Sequence, residues 1–267
     1  MRAGLLVVLA SLSFATVASC RKQPRDRPRP SPAPVVPPPT PTSPPPDLTL
    51  ASEPELPAET LAPDGLTLVY SRSSVTLEGA LVHELKDGEP TDPGPASDDI
   101  DKMAEALLKA HQHGTKLAAL KQQPPSTVAT LVVDRGIHYR VVGPALVGLG
   151  AVLGYSGRFA VSTPSGTAYL TARLPNMDVD APSMPPTRVI TIHTSNWQIQ
   201  TPGPTRPALL DGHDRDRLRS ALGDTPGPMH VIVDDDIPFQ VVADTLTAIT
   251  RARDGRVVRS AVLVSAF

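Results

Sequence analysis

Apolar and polar positions along this chain fall into a block that occurs twice. Residues 130–149 read TLVVDRGIHYRVVGPALVGL, and residues 230–249 read HVIVDDDIPFQVVADTLTAI. With the copies aligned one hundred positions apart, six of the twenty residues are identical: Val133/Val233, Asp134/Asp234, Ile137/Ile237, Val141/Val241, Val142/Val242 and Leu146/Leu246. In each copy a short apolar run ends at an Asp, a polar turn follows, and an aromatic, Tyr139 or Phe239, opens a segment with helical spacing. An apolar run closed by turn residues predicts a buried strand, and the segment after it a helix.

The same reading extends to either side. Residues 66–70 and 75–77 predict two strands, with Glu78-Gly79 closing the second and a polar loop running on to Ser97. Ile100, Met103, Ala104, Leu107 and Leu108 recur on one helical face; Ser97, Asp98 and Asp99 suit its start and Gly114 its end. The first copy of the block then begins after Pro124-Pro125. Its helix contains Gly143, Pro144, Gly148, Gly150 and Gly154, and each interior Gly costs about 1 kcal/mol against Ala. Tertiary packing must therefore hold it, with the small residues letting it lie close on a sheet. Residues 159–162 and 168–174 predict a hairpin around Pro164-Ser165-Gly166. Beyond a linker at 175–187, residues 189–193 and 197–200 repeat the opening strand pair. A short helix follows at 214–222, closed by Gly223, then the second block with a helix to 253 and Gly255 as its cap, and a last strand at 257–264. The expected fold class is α+β: two tandem small two-layer domains, 64–174 and 188–267, each β-β-α-β-α-β. Each is long enough for one modest core.

Composition changes the picture at the N-terminus. Arg2 precedes an apolar stretch at 5–17 that is shorter than the roughly 20 residues a membrane-spanning helix needs. With Val17-Ala18-Ser19 before Cys20, it predicts a cleaved signal peptide at 1–19. Cys20 is the single cysteine, so no intrachain disulfide can form. Small residues before a lone Cys resemble the bacterial lipobox, which implies that Cys20 becomes a lipidated N-terminus. Fourteen of the thirty-two prolines lie in residues 21–57, and such a segment cannot build a core. Residues 20–63 are thus expected to be a disordered tether, of which the Pro-rich 21–57 reaches at most about 115 Å in polyproline form. Five basic residues against Asp26 at 21–29 offer contact with anionic headgroups, or simply solvated charge. A net charge of −2 and nine Phe, Tyr and Trp residues argue against nucleic acid as a partner.

The duplicated strand–Asp–turn–aromatic–helix unit, with its Val141-Val142 and Val241-Val242 pairs, resembles the periplasmic domain of the ExbD/TolR family of biopolymer-transport proteins. The resemblance covers residues 64–174 and 188–267. It implies non-enzymatic binding of envelope partners of a biopolymer-transport or Tol-like system, or of peptidoglycan, by domains that pair as dimers; here the pair would be an intrachain pseudo-dimer. Asp134, Tyr139, Asp234 and Phe239 are the structural or interaction candidates. The family's transmembrane helix, with its coupling Asp, has no counterpart: residues 5–17 carry no acidic side chain. The expected place is the envelope of a Gram-negative bacterium, facing the periplasm, with the outer membrane favoured because Arg21 rather than Asp follows Cys20.

Other clusters are weaker. Asp234-Asp235-Asp236 resembles a metal site, but consecutive carboxylates diverge and no partners recur at calcium-loop spacing, so capping of the turn and helix start is the expected role. His111 and His113 face different sides of a helix. His213, Asp214 and Asp216 mark another helix start. No nucleophile elbow, zincin motif or phosphate loop occurs, and no cofactor is implied. Two rival functions stay open: a peptidoglycan- or polysaccharide-binding lipoprotein, and a periplasmic hydrolase.

Overall fold

Strands with one face buried follow the alternation of apolar residues, and they order the whole molecule. The computed structural model describes residues 47–59, 65–91, 96–174, 188–223, 228–251 and 260–265. Cys20, the basic segment at 21–29, the 175–187 linker and Gly255 lie outside the described residues. In chain order the elements are β1 (Leu66–Tyr70), β2 (Ser74–Leu77), β3 (Ala80–Lys86), β4 (Glu89–Pro90), α1 (Ala96–Leu120), β5 (Val128–Val133) and α2 (Tyr139–Val147), which runs into a π turn at Gly148–Val152. Then come β6 (Ser156–Thr163), β7 (Gly166–Arg173), β8 (Arg188–Ile192), β9 (Asn196–Gln200), β10 (Ala208–Asp211), α3 (Arg215–Leu222), β11 (Met229–Val233), α4 (Phe239–Thr250) and β12 (Ala261–Ser265). The fold is α+β, with a mixed sheet and four α-helices among the described residues.

The strands run in one order, β10-β9-β8-β11-β12-β7-β6-β5-β1-β2-β3-β4, where the sequence predicts two tandem β-β-α-β-α-β domains of four strands each. Registers nevertheless repeat. Leu68 of β1 lies opposite Leu77 of β2 and beside Leu131 of β5, as Ile190 of β8 lies opposite Ile199 of β9 and beside Val231 of β11. Between the strand pair and the block, one half carries the 25-residue α1 and the other the 8-residue α3. The halves join where β7, antiparallel to β6, meets β12 through the single pair Val262–Arg173.

Four strands escape the sequence reading or extend it. β3 and β4 occupy the stretch expected to be loop, and the signal for them is present in the turns. Glu78-Gly79 and Asp87-Gly88 all have positive φ (51°, 78°, 54° and 89°), the geometry of a tight two-residue hairpin. Because β3 shows a mostly exposed face, it carries His83, Glu84 and Lys86 and lacks the apolar alternation of a buried strand. β10, with exposed Leu209, is missed for the same reason, and β6 starts three residues earlier than expected. Helix α1 passes through Gly114, since one Gly costs only about 1 kcal/mol and residues 115–120 are mostly strong helix formers. It ends instead where Gln122 takes a left-handed φ of 55° before Pro124-Pro125. Gly148 of the first block acts differently from expectation as well. A Cβ on Gly148 would stand 2.9 Å from the Leu107 side chain, so its smallness lets α1, not the sheet, come close.

Residues 47–59, placed by composition in the tether, are part of the fold. Ala51 and Leu56 are buried, Leu50 bridges Asp134, and Ser52 pairs in parallel with Ser162 at the end of β6. Pro enrichment lowers the chance of regular structure but does not prevent an extended segment from docking edge-on.

Candidate functional site

The two copies of the block meet at their turns. After β5, the Asp134 amide donates to the Tyr70 carbonyl at 2.8 Å, and after β11 the Asp234 amide donates to the Ile192 carbonyl at 3.1 Å. Each chain then turns into its helix, and His138 bridges Pro238 in an antiparallel pair. Four backbone bonds follow from this. Tyr139 N donates to the Ile237 carbonyl and Phe239 N to the Ile137 carbonyl, both at 2.9 Å; Arg140 N donates to the Asp235 carbonyl and Gln240 N to the Arg135 carbonyl, both at 3.0 Å. The first amides of a helix have no partner within it. Here each helix start is satisfied by carbonyls of the opposite copy, and neither His138 nor Pro238 supplies a side-chain cap.

Neither Asp caps a helix start, one part of the expected role, whereas Asp134 does cap its turn. Asp134 is fully buried; its Oδ1 accepts the Gly136 amide at 2.9 Å, its Oδ2 accepts the Thr49 amide at 2.6 Å, and Arg72 lies 3.5 Å away. It stabilises the turn and the incoming segment. Asp234 is 41% exposed and lies 2.8 Å from His193 Nδ1, which holds that imidazole above its ordinary pKa. His193 Nε2 faces Gln198 Oε1 at 3.2 Å, so this His–Asp pair has an amide oxygen where a hydrolase would place its nucleophile. Tyr139 and Phe239 are both buried, and the Phe239 ring lies 5.6 Å from that of Phe159. They are core residues, not a surface.

Around the paired turns the structure gathers charges that the sequence does not single out. Glu89 binds His138 Nδ1 at 2.8 Å and Arg140 at 2.8 Å, while Arg140 also reaches Asp236 at 2.7 Å. Partial burial pushes the Glu89 carboxyl up, but the bonds from Arg140 and His138 outweigh it and hold the group below its ordinary range. Asp235 lends the seam its carbonyl, so of the three consecutive Asp residues Asp234 pairs with His193 while Asp235 and Asp236 both serve Arg140, one at its amide and one at its guanidinium. Among the described residues no group of three or more His, Cys, Asp or Glu is placed to share a metal ion.

The 47–59 segment crosses this seam as a strap. Arg135 N donates to the Thr49 carbonyl at 2.7 Å, Glu53 N to the Ser162 carbonyl at 2.8 Å, and Glu59 N to the Thr167 carbonyl at 2.8 Å. On the other side, Gln240 brackets Ser52 by accepting its amide at 2.9 Å and donating to its carbonyl at 3.2 Å. Three acidic side chains of the strap meet three arginines of the second half: Glu53 with Arg215, Glu55 with Arg219 at 2.5 Å, and Glu59 with Arg251 at 3.4 Å. Glu53 is fully buried. Loss of hydration raises its carboxyl to about 7, with Asp244 pushing the same way and Arg215 opposing it.

Two further clusters are accounted for locally. Asp214 caps α3 by accepting the Asp216 and Arg217 amides at 2.9 and 3.2 Å, and His213 stands edge-on to Trp197. His111 Nδ1 lies 2.9 Å from the Tyr155 hydroxyl in mid-helix rather than at a helix end. Past it, α1 overhangs β1 and β2, leaving an open groove of about 1250 Å³ bordered by Leu66, Leu77, Leu81, Lys102, Lys109 and Lys121. No described helix is long and apolar enough to cross a membrane. No protein-family model matches the chain, and no curated protein matches it.

Proposed function

We propose that this chain is a lipid-anchored protein of a Gram-negative cell envelope. Its two ExbD/TolR-like units form an intrachain pseudo-dimer facing the periplasm, and it acts by binding rather than catalysis, as a scaffold or accessory of a biopolymer-transport or Tol-like system. The observation that carries this reading is the reciprocal bonding of the two turns, Tyr139 to Ile237 and Phe239 to Ile137. Two copies that complete each other's helix starts behave as a pair, and pairing is what the sequence resemblance implies for such units. Tethering on one chain raises the effective concentration of one copy near the other to roughly millimolar, so the pair persists without a second molecule. Lipidation at Cys20 would hold this pair at a membrane through the Pro-rich segment.

The test is crosslinking of the full-length protein in its native envelope, followed by identification of the adducts. Motor-type integral membrane proteins among them support the reading. Their absence, together with retention of the protein on purified sacculi, replaces it with the second reading, a peptidoglycan-binding lipoprotein. One observation favours that alternative: the groove beneath α1 sets Lys102 and Lys121, with Lys109 paired to Glu105 at 2.6 Å between them, around an apolar floor, a setting suited to an anionic polymer with apolar patches. A periplasmic hydrolase draws no support of this kind.

A further inference from the structure

The strap is held to the second half by a buried cluster whose charges do not balance. Glu53 is fully buried, and its Oε1 has no hydrogen-bond partner among the described residues. Facing it from α4 are Asp244 and Thr247, whose Oγ1 is likewise buried without a partner; from α3 and the residues before it come Arg215 and His213. Asp244 is also bonded to Gln240 at 3.0 Å and lies 3.7 Å from Arg215 Nε. Beside them Glu55 and Asp216 likewise share Arg219, but both of those carboxylates are exposed to water, which screens their charge. Glu53 and Asp244 thus share one guanidinium, largely out of reach of bulk water. Ionising both leaves an excess negative charge there, which is far costlier in a buried site than at the surface. Binding one proton removes that charge and gives the pair a donor where an acceptor atom now stands alone.

We propose that residues 47–59 form a proton-dependent latch, seated between the two halves while the Glu53–Asp244 pair carries a proton and loosened when the proton leaves. The inference goes beyond the functional reading above and does not depend on what the protein binds. Burial sets the sign of the effect, raising the Glu53 carboxyl from 4.5 to about 7 and raising Asp244 likewise. Seating of the strap is therefore favoured fully below about pH 4.5 and loses that contribution as pH rises through about 7. Because the strap follows directly on the Pro-rich segment, its release would lengthen the connection between that segment and the body.

The latch is tested by hydrogen exchange on the full chain at pH 5 and pH 8, corrected for intrinsic exchange. The Glu53 and Glu59 amides, bonded to Ser162 and Thr167, report the strap, and the amides of β5 serve as the internal reference. The strap amides are expected to lose protection by about tenfold or more relative to β5 between the two pH values, since proton affinity changes tenfold for every step of one in pKa. In Glu53→Gln the strap should be protected equally at both. In Asp244→Asn, where Arg215 is left to Glu53 alone, the pH dependence should shrink. Equal protection of the parent at pH 5 and 8, or an unchanged pH dependence in either variant, overturns the proposal. Asp244→Asn decides the matter should Glu53→Gln fail to fold.

Discussion

Tyr139 and Phe239, one hundred positions apart, make the same hydrogen bond in opposite directions. The Tyr139 amide donates to the Ile237 carbonyl and the Phe239 amide to the Ile137 carbonyl, each at 2.9 Å. This reciprocity gives a physical reason for the repeat. Val133, Ile137, Val142 and Leu146 are buried, and so are Val233, Ile237, Val242 and Leu246. Most of the identities that make the two copies recognisable are core positions. They specify a turn geometry and a packed helix, and they hold Phe239, at the start of α4, against Phe159 of the first half.

If packing rather than surface charge holds the seam, its variants should differ sharply. Phe239→Ala removes a fully buried ring in contact with Phe159 and should cost about 3–5 kcal/mol. Arg140→Ala breaks pairs with Glu89 and Asp236 that are all more than a third exposed, and should cost about 1 kcal/mol or less. Denaturant unfolding measures both. A larger loss for Arg140→Ala would mean that the charges dominate.

Asp134 and Asp234 occupy matching places yet should respond unequally. Asp134→Ala strips the acceptor from two amides next to a buried carboxylate, those of Thr49 and Gly136, and should cost about 1–3 kcal/mol. Asp234→Ala loses a half-exposed contact with His193 and should cost less than about 1 kcal/mol. Equal losses in thermal or denaturant melts would return both residues to a common capping role.

What is legible in the sequence, and what is not, follows from which contacts are local. The β5-turn-α2 and β11-turn-α4 units and the β6–β7 hairpin show in apolar periodicity and turn residues, because those signals arise within a few residues of the chain. The exposed strands β3 and β10 carry no apolar alternation, although Asp87-Gly88 marks one of their turns. Prolines hide the strap, and its docking depends on Arg215, Arg219 and Arg251, which lie 162, 164 and 192 residues from their partners. Asp134 stands out as a residue while its role does not, because its partner Thr49 comes from that same distant strap.

His193 offers a titration that checks the geometry of the second half. Its bond to Asp234 raises the imidazole pKa above the ordinary 6.5, with partial burial acting against it. The interaction supports the fold below about pH 6.5 and is lost as pH rises through the raised value. In an NMR titration the His193 ring should turn over above pH 6.5, and Asp234→Asn should bring it back down. No change on that substitution would separate the two residues in solution.

The proposed membrane attachment rests on one atom. Cys20→Ala removes the only thiol that a lipid-transfer reaction can use. Fractionation of cells should move the variant from the membrane to the soluble or uncleaved pool. A variant that stays with the membrane like its parent would put the anchor elsewhere.

The strongest test of the paired reading is to take the halves apart. Residues 188–267 expressed alone keep β8 to β12 with α3 and α4, but they lose every contact that the first half and the strap contribute. The α4 start would lack the carbonyls of Arg135 and Ile137, so two amides that have no partner within the helix would turn to water. Phe239 would lose Phe159, and β12 would lose its contact with β7, leaving an apolar edge open to other chains. Arg215, Arg219 and Arg251 would face solvent without Glu53, Glu55 and Glu59. Thr245, Thr247, Ala248, Ile249 and Thr250 are all buried in the intact chain, and part of that burial comes from outside the fragment. A core of this size is marginal on its own. The fragment should therefore melt below the intact protein or self-associate through the vacated seam, as calorimetry and sedimentation would report. A monomer that melts at the temperature of the full chain would show that the two copies are independent and that their hydrogen-bonded turns contribute little to holding them.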